Sequence, residues 1–275
     1  MILVLVIVCI LSTIISSSPS EVTNSQQFPK AIIIGVKKCG TRALLKFLSV
    51  HPAIAASSQE VHFFDTPKNF RLGSDWYRNQ MPIATTNQYV TIEKTPHYFI
   101  DRHTPKRLAH LLPDVKLILI LRDPVIRAIS DYVQIKSRHE YYPTFDEFIS
   151  MKNFTRWTPI KIGCYAIYLR RWLKYFPLER IHFVDGENLI QRPWEELQHV
   201  QKFLNISNDI RQENFYFNSN KRGFPCIKQP NGCLGSSKGR QHPFISDITR
   251  AKLKNLYSTC NRQFKQLAQI NFPWL

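Results

Sequence analysis

The stretch Gln59-Glu60-Val61-His62-Phe63-Phe64-Asp65 sets titratable side chains among apolar ones. Carboxylates and an imidazole placed that way, at Glu60, His62 and Asp65, are candidates for acid–base work. Desolvation would raise the Glu60 pKa and a neighbouring Lys94 would hold it down; the sequence leaves both open. Lys94 opens Lys94-Thr95-Pro96-His97, a second short run of polar groups. A third cluster, Val36-Lys37-Lys38-Cys39-Gly40, is a compact basic turn between an apolar run and a helical pattern. Helix N-termini present backbone N–H groups that lack intrahelical partners, and with lysines added they hold phosphate-like anions. The spacing is not that of a Walker A loop, because the lysines precede the second glycine. Arg122 offers a planar fork suited to a terminal phosphate, unless it is spent on Asp123 or Asp131. Ser130 follows Arg122 across a strand-to-helix turn that would bring both to one phosphate.

These groups need a scaffold, and the flanking patterns supply one. Ala31 to Ile34 is a β-branched apolar run of the kind buried on both faces of a sheet. Helical spacing of Ala43, Leu44, Phe47 and Leu48 starts a helix at Thr41, with Thr41 or Gly40 near its cap. Further strands are expected over Ala53–Ala56, Val90–Ile92, Lys116–Leu121 and Ile181–Val184. Asp123 should cap the helix after KLILIL, with Pro124 in its first turn. Other helices are expected over Thr104–Leu112, Cys164–Phe176, Pro193–Leu204 and Ile248–Leu267. Residues 139–160 read as a polar, aromatic-rich excursion and 214–243 as irregular. The alternation implies an α/β fold with a mostly parallel central sheet and helices on both faces. Every cluster named above directly follows a strand, and ligands gather at the carboxyl ends of strands in such sheets.

The chain has 275 residues and a formal charge of +17, which implies a polyanionic partner. Ile2 to Ile15 is an apolar segment shorter than a comfortable membrane span, which needs about 20 residues. Residues 1–20 thus read as a signal peptide or short signal-anchor, 21–27 as a linker and 28–275 as one domain. Entry into the secretory pathway excludes nucleic acid as the polyanion and leaves the leader as the only membrane contact. The sequons at Asn153 and Asn205 suit a luminal chain as glycosylation sites. Cys226 and Cys233 flank the turn Pro230-Asn231-Gly232 and are expected to pair in an oxidising lumen. Cys39, Cys164 and Cys260 are left over and read as buried free thiols. No His/Cys spacing suggests a metal site. Trp157 and Thr158 are candidates for stacking on and hydrogen-bonding to a sugar, and basic residues such as Lys136, Arg138 and Lys161 for lining an acceptor cleft.

GVKKCGTRALL, EVHFFD, EKTPHYF, LILRDPVIRAISDY, NFYFN and KGRQHP, in this order, resemble the heparan sulfate glucosamine 3-O-sulfotransferases from about Phe28 to the C-terminus. The resemblance implies a P-loop-like sulfotransferase fold, the donor 3′-phosphoadenylyl sulfate (PAPS) with PAP as product, no metal, a monomer, and a Golgi-lumenal or secreted location. It assigns Lys38, Gly40, Thr41 and Arg42 to the donor's 5′-phosphosulfate, and Arg122 and Ser130 to its 3′-phosphate. Lys238, Gly239, Arg240 and His242 become a late loop closing over the donor. Glu60 becomes the base, aided by Lys38, His62 and Lys94. Asp65 and Thr95 to His97 join them on the side of the heparan sulfate acceptor.

Two departures stand out: Cys39 where the family's loops usually have glycine, and His97 where a small residue is commoner. Other readings remain. N-sulfation of glucosamine is a close rival, EVHFFD favouring the 3-hydroxyl. A non-catalytic heparin-binding protein would explain the charge but not EVHFFD or KTP. A nucleotide-dependent phosphoryl transferase would need a Walker A loop and an acidic metal site, neither of which is evident.

Overall fold

The computed structural model describes residues 26–85, 87–139, 141–219, 224–228, 232–235 and 239–275. Five parallel strands form the central sheet: β1 (Ala31–Gly35), β2 (Ile54–Ala56), β3 (Val90–Lys94), β4 (Lys116–Leu121) and β5 (Ile181–Asp185). Their order is β2-β3-β1-β4-β5, so the chain runs out to one side of β1 and then crosses to the other at β4. That reversal opens a crevice at the carboxyl ends of β1 and β4. Ala31, Ile32, Ile33 and Ile34 are fully buried, as a central strand covered on both faces requires.

The helices follow in chain order as α1 (Thr41–Leu48), α2 (Pro67–Phe70), α3 (Gly73–Arg78), α4 (Thr104–Leu111), α5 (Pro124–Lys136) and α6 (Phe145–Ser150). After them come α7 (Thr158–Lys161), α8 (Tyr165–Trp172), α9 (Asn188–Gln191), α10 (Pro193–Leu204) and α11 (Asp247–Ala268). A small antiparallel pair, β6 (Phe215–Tyr216) and β7 (Cys226–Ile227), lies outside the main sheet. The expected elements are all present with small shifts at their ends, and β3 extends through Glu93 and Lys94.

The excursion over 139–160 contains α6, a 3₁₀ turn at Phe154–Arg156 and α7. A capping box starts α6: the Glu147 N–H donates to Thr144 Oγ1, and Glu147 Oε2 accepts from the Thr144 N–H. These elements and α11 surround a second apolar cluster, built from Val125, Ile129, Tyr132, Phe145, Ile160 and Leu253 among others.

The cysteines correct one expectation. Cys164 and Cys260 are not free thiols but a disulfide, joining the start of α8 to α11 across 96 residues with Cα atoms 5.2 Å apart. Their pairing depends on how two distant helices pack, which spacing along the chain does not show. Cys226 and Cys233 are bonded as expected, although Pro230 and Asn231 of the turn between them lie outside the described residues, as do the leader and most of the linker. Cys39 is a buried free thiol.

Candidate active site

A cleft of about 610 Å³ opens where the loops after β1, β3 and β4 converge. At one end lies the basic turn. Gly40 is the N-cap of α1 with φ 110, and no side chain caps the helix, so its first N–H groups face the cleft without an intrahelical partner. A Cβ on Gly40 would come within 2.7 Å of the Phe224 ring, so only glycine fits both the conformation and the space. Lys38 has φ 76, a left-handed conformation that costs a non-glycine residue on the order of 1–3 kcal/mol and gathers at ligand sites.

Helix α5 fastens this turn. Lys38 Nζ donates to Gln134 Oε1 at 2.8 Å, and Lys37 Nζ pairs with Asp131 Oδ1 at 2.9 Å. Asp131 is buried and also accepts from the fully buried Arg127 at 3.0 Å. The capping of α5 by Asp123, which accepts from the Val125 N–H at 2.8 Å, sets Ser130 and Gln134 on the cleft side. Cys39 sits behind the turn; burial pushes its thiol up to about 11, so it packs as an inert group.

Arg122 leaves β4 and lines the cleft, its fork donating from Nε and Nη2 to the two Glu187 oxygens at 2.8 and 3.0 Å. Neither Asp123 nor Asp131 is its partner. The reason is β5: its next-door end carries Asp185, Gly186 and Glu187 onto Arg122. Gly186 donates its N–H to Leu121 O at 2.7 Å, and a Cβ there would lie 2.6 Å from both Arg122 Cγ and the Cys39 carbonyl oxygen. Gly239, Arg240 and His242 close the same end. Burial, then the charge of Arg122, lowers the His242 pKa.

The other end is acid–base in character. Glu60 follows β2 and accepts from Lys94 Nζ, an ammonium whose side chain is 4% exposed. His62 Nε2 lies 3.5 Å from Glu60 Oε2, and its Nδ1 is 2.9 Å from Asp65 Oδ2. The same Asp65 oxygen lies 2.7 Å from His97 Nδ1. His62 also adopts a left-handed backbone, φ 51, braced by Asn69 Nδ2 donating to the Val61 and His62 carbonyls at 3.2 and 3.1 Å.

The hydrogen-bonded His62 and, with it, Lys94 hold Glu60 down at about 2 against the opposing effect of burial. His62 is pushed up to about 10, first by its bond to Asp65 and then by Glu60. Burial raises Asp65, but the two histidines outweigh it and leave the carboxyl at about 2.

Most of the expected site residues meet in this one cleft: Lys38, Gly40, Thr41, Arg42, Arg122, Ser130, Gly239, Arg240 and His242 at one end, and Glu60, His62, Pro96 and His97 at the other. Lys94 and Asp65 stand directly behind Glu60 and His62. Thr95 does not line the cleft. It is fully buried, where its hydroxyl donates to Glu93 Oε1 at 2.7 Å and accepts from the Val61 N–H at 3.1 Å, so it braces the Glu60 segment. Trp157 packs at a tilt against Phe148 with centroids 4.0 Å apart, and neither it nor Thr158 lines the cleft. Lys136, Arg138 and Lys161 are likewise absent from the lining. Lys238 lies outside the described residues.

Gln134, Phe224 and Glu187 were not anticipated. Gln134 had a signal, standing one helical turn beyond Ser130 on the same face. Glu187 had one too, since it follows a strand just as the other clusters do.

Residues 28–268 match the sulfotransferase domain family. Mouse heparan sulfate glucosamine 3-O-sulfotransferase 3B1 is 44% identical over 274 residues, covering 94% of this chain and 69% of the relative. The chain belongs to the heparan sulfate glucosamine 3-O-sulfotransferase family. The mouse 3A1 enzyme of that family is 46% identical over 91% of this chain and 65% of its own length. A solved sulfotransferase from Alicyclobacillus acidocaldarius superposes with a TM-score of 0.70 at 21% identity, covering 90% of this chain and 99% of that one. At that identity it speaks for the fold alone.

Proposed function

We propose that this protein transfers the sulfuryl group of PAPS to the 3-hydroxyl of glucosamine residues in heparan sulfate, with Glu60 taking the hydroxyl proton. The observation that carries the reading is the cleft itself, which sets a paired carboxylate at one end and an uncapped helix with lysine and arginine at the other. The donor set fits PAPS. Lys38, the N-terminus of α1 and the close-packed Gly40 suit the phosphosulfate; Arg122 and Ser130 suit the 3′-phosphate, with Arg240 over the top.

PAPS supplies an activated sulfuryl group whose sulfur–oxygen bond to the phosphate breaks, leaving PAP. In-line transfer of this kind depends on positioning and charge stabilisation. Glu60 accepts the proton of the attacking hydroxyl as the new oxygen–sulfur bond forms. Lys38 would stabilise the negative charge that develops on the leaving oxygen. Lys94 and His62 keep Glu60 ionised and aimed, at the cost of basicity, because a carboxylate held near 2 is a weak base.

The test uses purified protein, labelled PAPS and heparan sulfate, with disaccharide analysis of the product. Label on the glucosamine 3-hydroxyl, lost in Glu60→Gln while PAPS still binds, is the expected result. Label on the amino nitrogen would replace the 3-hydroxyl reading with N-sulfation, and tight glycan binding without transfer would end the enzymatic one.

The same reading puts the protein in the Golgi lumen. The Cys164–Cys260 and Cys226–Cys233 disulfides suit an oxidising compartment, and Asn153 and Asn205 are both exposed. Glycosidase digestion of protein from a secretory host should lower its apparent mass in two steps, each abolished by Asn→Gln at one sequon.

A further inference from the structure

Asp65 is the hub of the acid–base end. Its side chain is 2% exposed, and its Oδ2 receives both His62 Nδ1 and His97 Nδ1, at 2.9 and 2.7 Å. The two rings leave it in different states. His62 turns its other nitrogen to Glu60 and is spent. His97 lies on the cleft wall, its side chain 53% exposed and its ring centroid 6.4 Å from that of His62. Its Nδ1 is committed to the buried carboxylate, so its Nε2 is on the solvent side and meets no partner among the described residues. Lys94 at this end is also committed, to Glu60. Among the described histidine and lysine groups of this end, the His97 Nε2 thus remains to meet whatever the acceptor carries. A buried carboxylate on Nδ1 fixes the orientation of the ring and keeps a proton on that nitrogen, so Nε2 becomes a donor when the ring is the doubly protonated imidazolium.

We propose that His97, as the imidazolium, reads an anionic group, a sulfate or a carboxylate, on the sugar lying against Glu60, with Nδ1 donating to Asp65 and Nε2 donating to the anion. This rests on the acceptor occupying the Glu60 end of the cleft, and it adds to that reading a chemical selection: acceptors bearing the anion are taken in preference to those without it. Asp65 acts behind it as a positioning residue. A hydrogen bond to a charged partner is lost when the ring is removed, which corresponds to about a tenfold or larger rise in acceptor KM.

The test compares wild type with His97→Ser and His97→Lys on three glycans: heparan sulfate, the same chain stripped of sulfates and N-acetylated, and the same chain with its carboxylates reduced. Donor KM serves as the internal reference. The expected result is a rise of about tenfold in acceptor KM for His97→Ser on heparan sulfate, with His97→Lys recovering part of it. The difference between wild type and His97→Ser should vanish on one modified chain: on the desulfated chain if the anion is a sulfate, on the carboxyl-reduced chain if it is a carboxylate. Equal acceptor KM for wild type and His97→Ser on all three would overturn the proposal. So would a loss confined to kcat and equal on all three, which would mean that His97 acts only through Asp65 on the chemistry. Should the wild type transfer sulfate to no glycan, the catalytic reading fails first. Calorimetric affinity of the same variants for the three glycans then decides the His97 proposal separately.

Discussion

The two ends of the cleft handle charge in opposite ways. Around Glu60 the two carboxylates nearest the cleft are matched: Glu60 by Lys94 and His62, Asp65 by His62 and His97. Around the basic turn, Arg42 and Arg240 line the cleft exposed to solvent. Lys37 and Arg122 are the exceptions, matched by Asp131 and Glu187. The first end is nearly balanced and preset, as suits moving one proton between fixed groups. The second keeps a cationic surplus and an uncapped helix, as suits an anion that arrives and leaves. The groups at the first end act on one another, whereas the exposed arginines at the second act on the ligand.

Breaking one end should therefore leave the other's signature intact. The largest effect is expected from Glu60→Gln, a fall in kcat of about 10²–10⁴ with donor affinity within about twofold, checked by single-turnover transfer and PAPS titration. A matching loss of donor affinity would show that the ends are not separable. Lys38→Ala comes next, with kcat down about 10²–10³ from lost stabilisation of the leaving oxygen. Unlike the Glu60 variant, it should also weaken PAP binding. Replacing both Cys164 and Cys260 by serine touches neither end. It should cost about 2–4 kcal/mol of unfolding free energy in urea while leaving the KM values of both substrates in place.

Much of this contrast was legible in the chain, for a physical reason. Strand ends and helix starts are written locally, in KLILIL stopping at Arg122-Asp123-Pro124 and in the glycine before Thr41. A parallel sheet then gathers those ends without further information. What stayed hidden depends on packing between remote segments. The Cys164–Cys260 bond needs α8 against α11, and the Arg122–Glu187 pair needs β5 beside β4. The resemblance set Thr95 on the acceptor side with Pro96 and His97. The strand register instead turns its hydroxyl inward, to Glu93 and the Val61 N–H.

The smallest expected effect sharpens the contrast most, because it reads the pairing at the Glu60 end directly. His62 is the main reason that Glu60 lies at about 2 rather than at its ordinary 4.5. A lowered carboxylate pKa keeps the base ionised as pH falls, so wild-type kcat/KM should hold on the acid side until the fold itself gives way. In His62→Ala the Glu60 pKa rises back toward 4.5, and the acid limb of kcat/KM moves up in pH. Stability moves with the opposite sign on the alkaline side. A histidine raised from 6.5 to about 10 contributes stability that is fully present below 6.5 and lost as pH rises through about 10. Melting temperature should thus decline between those values in the wild type and stay flatter in His62→Ala. The lowered Glu60 and Asp65 act in reverse, losing their contribution as pH falls toward about 2. If His62→Ala moves neither limb, His62 is not the cation that holds Glu60, and Lys94 alone sets the state of the base.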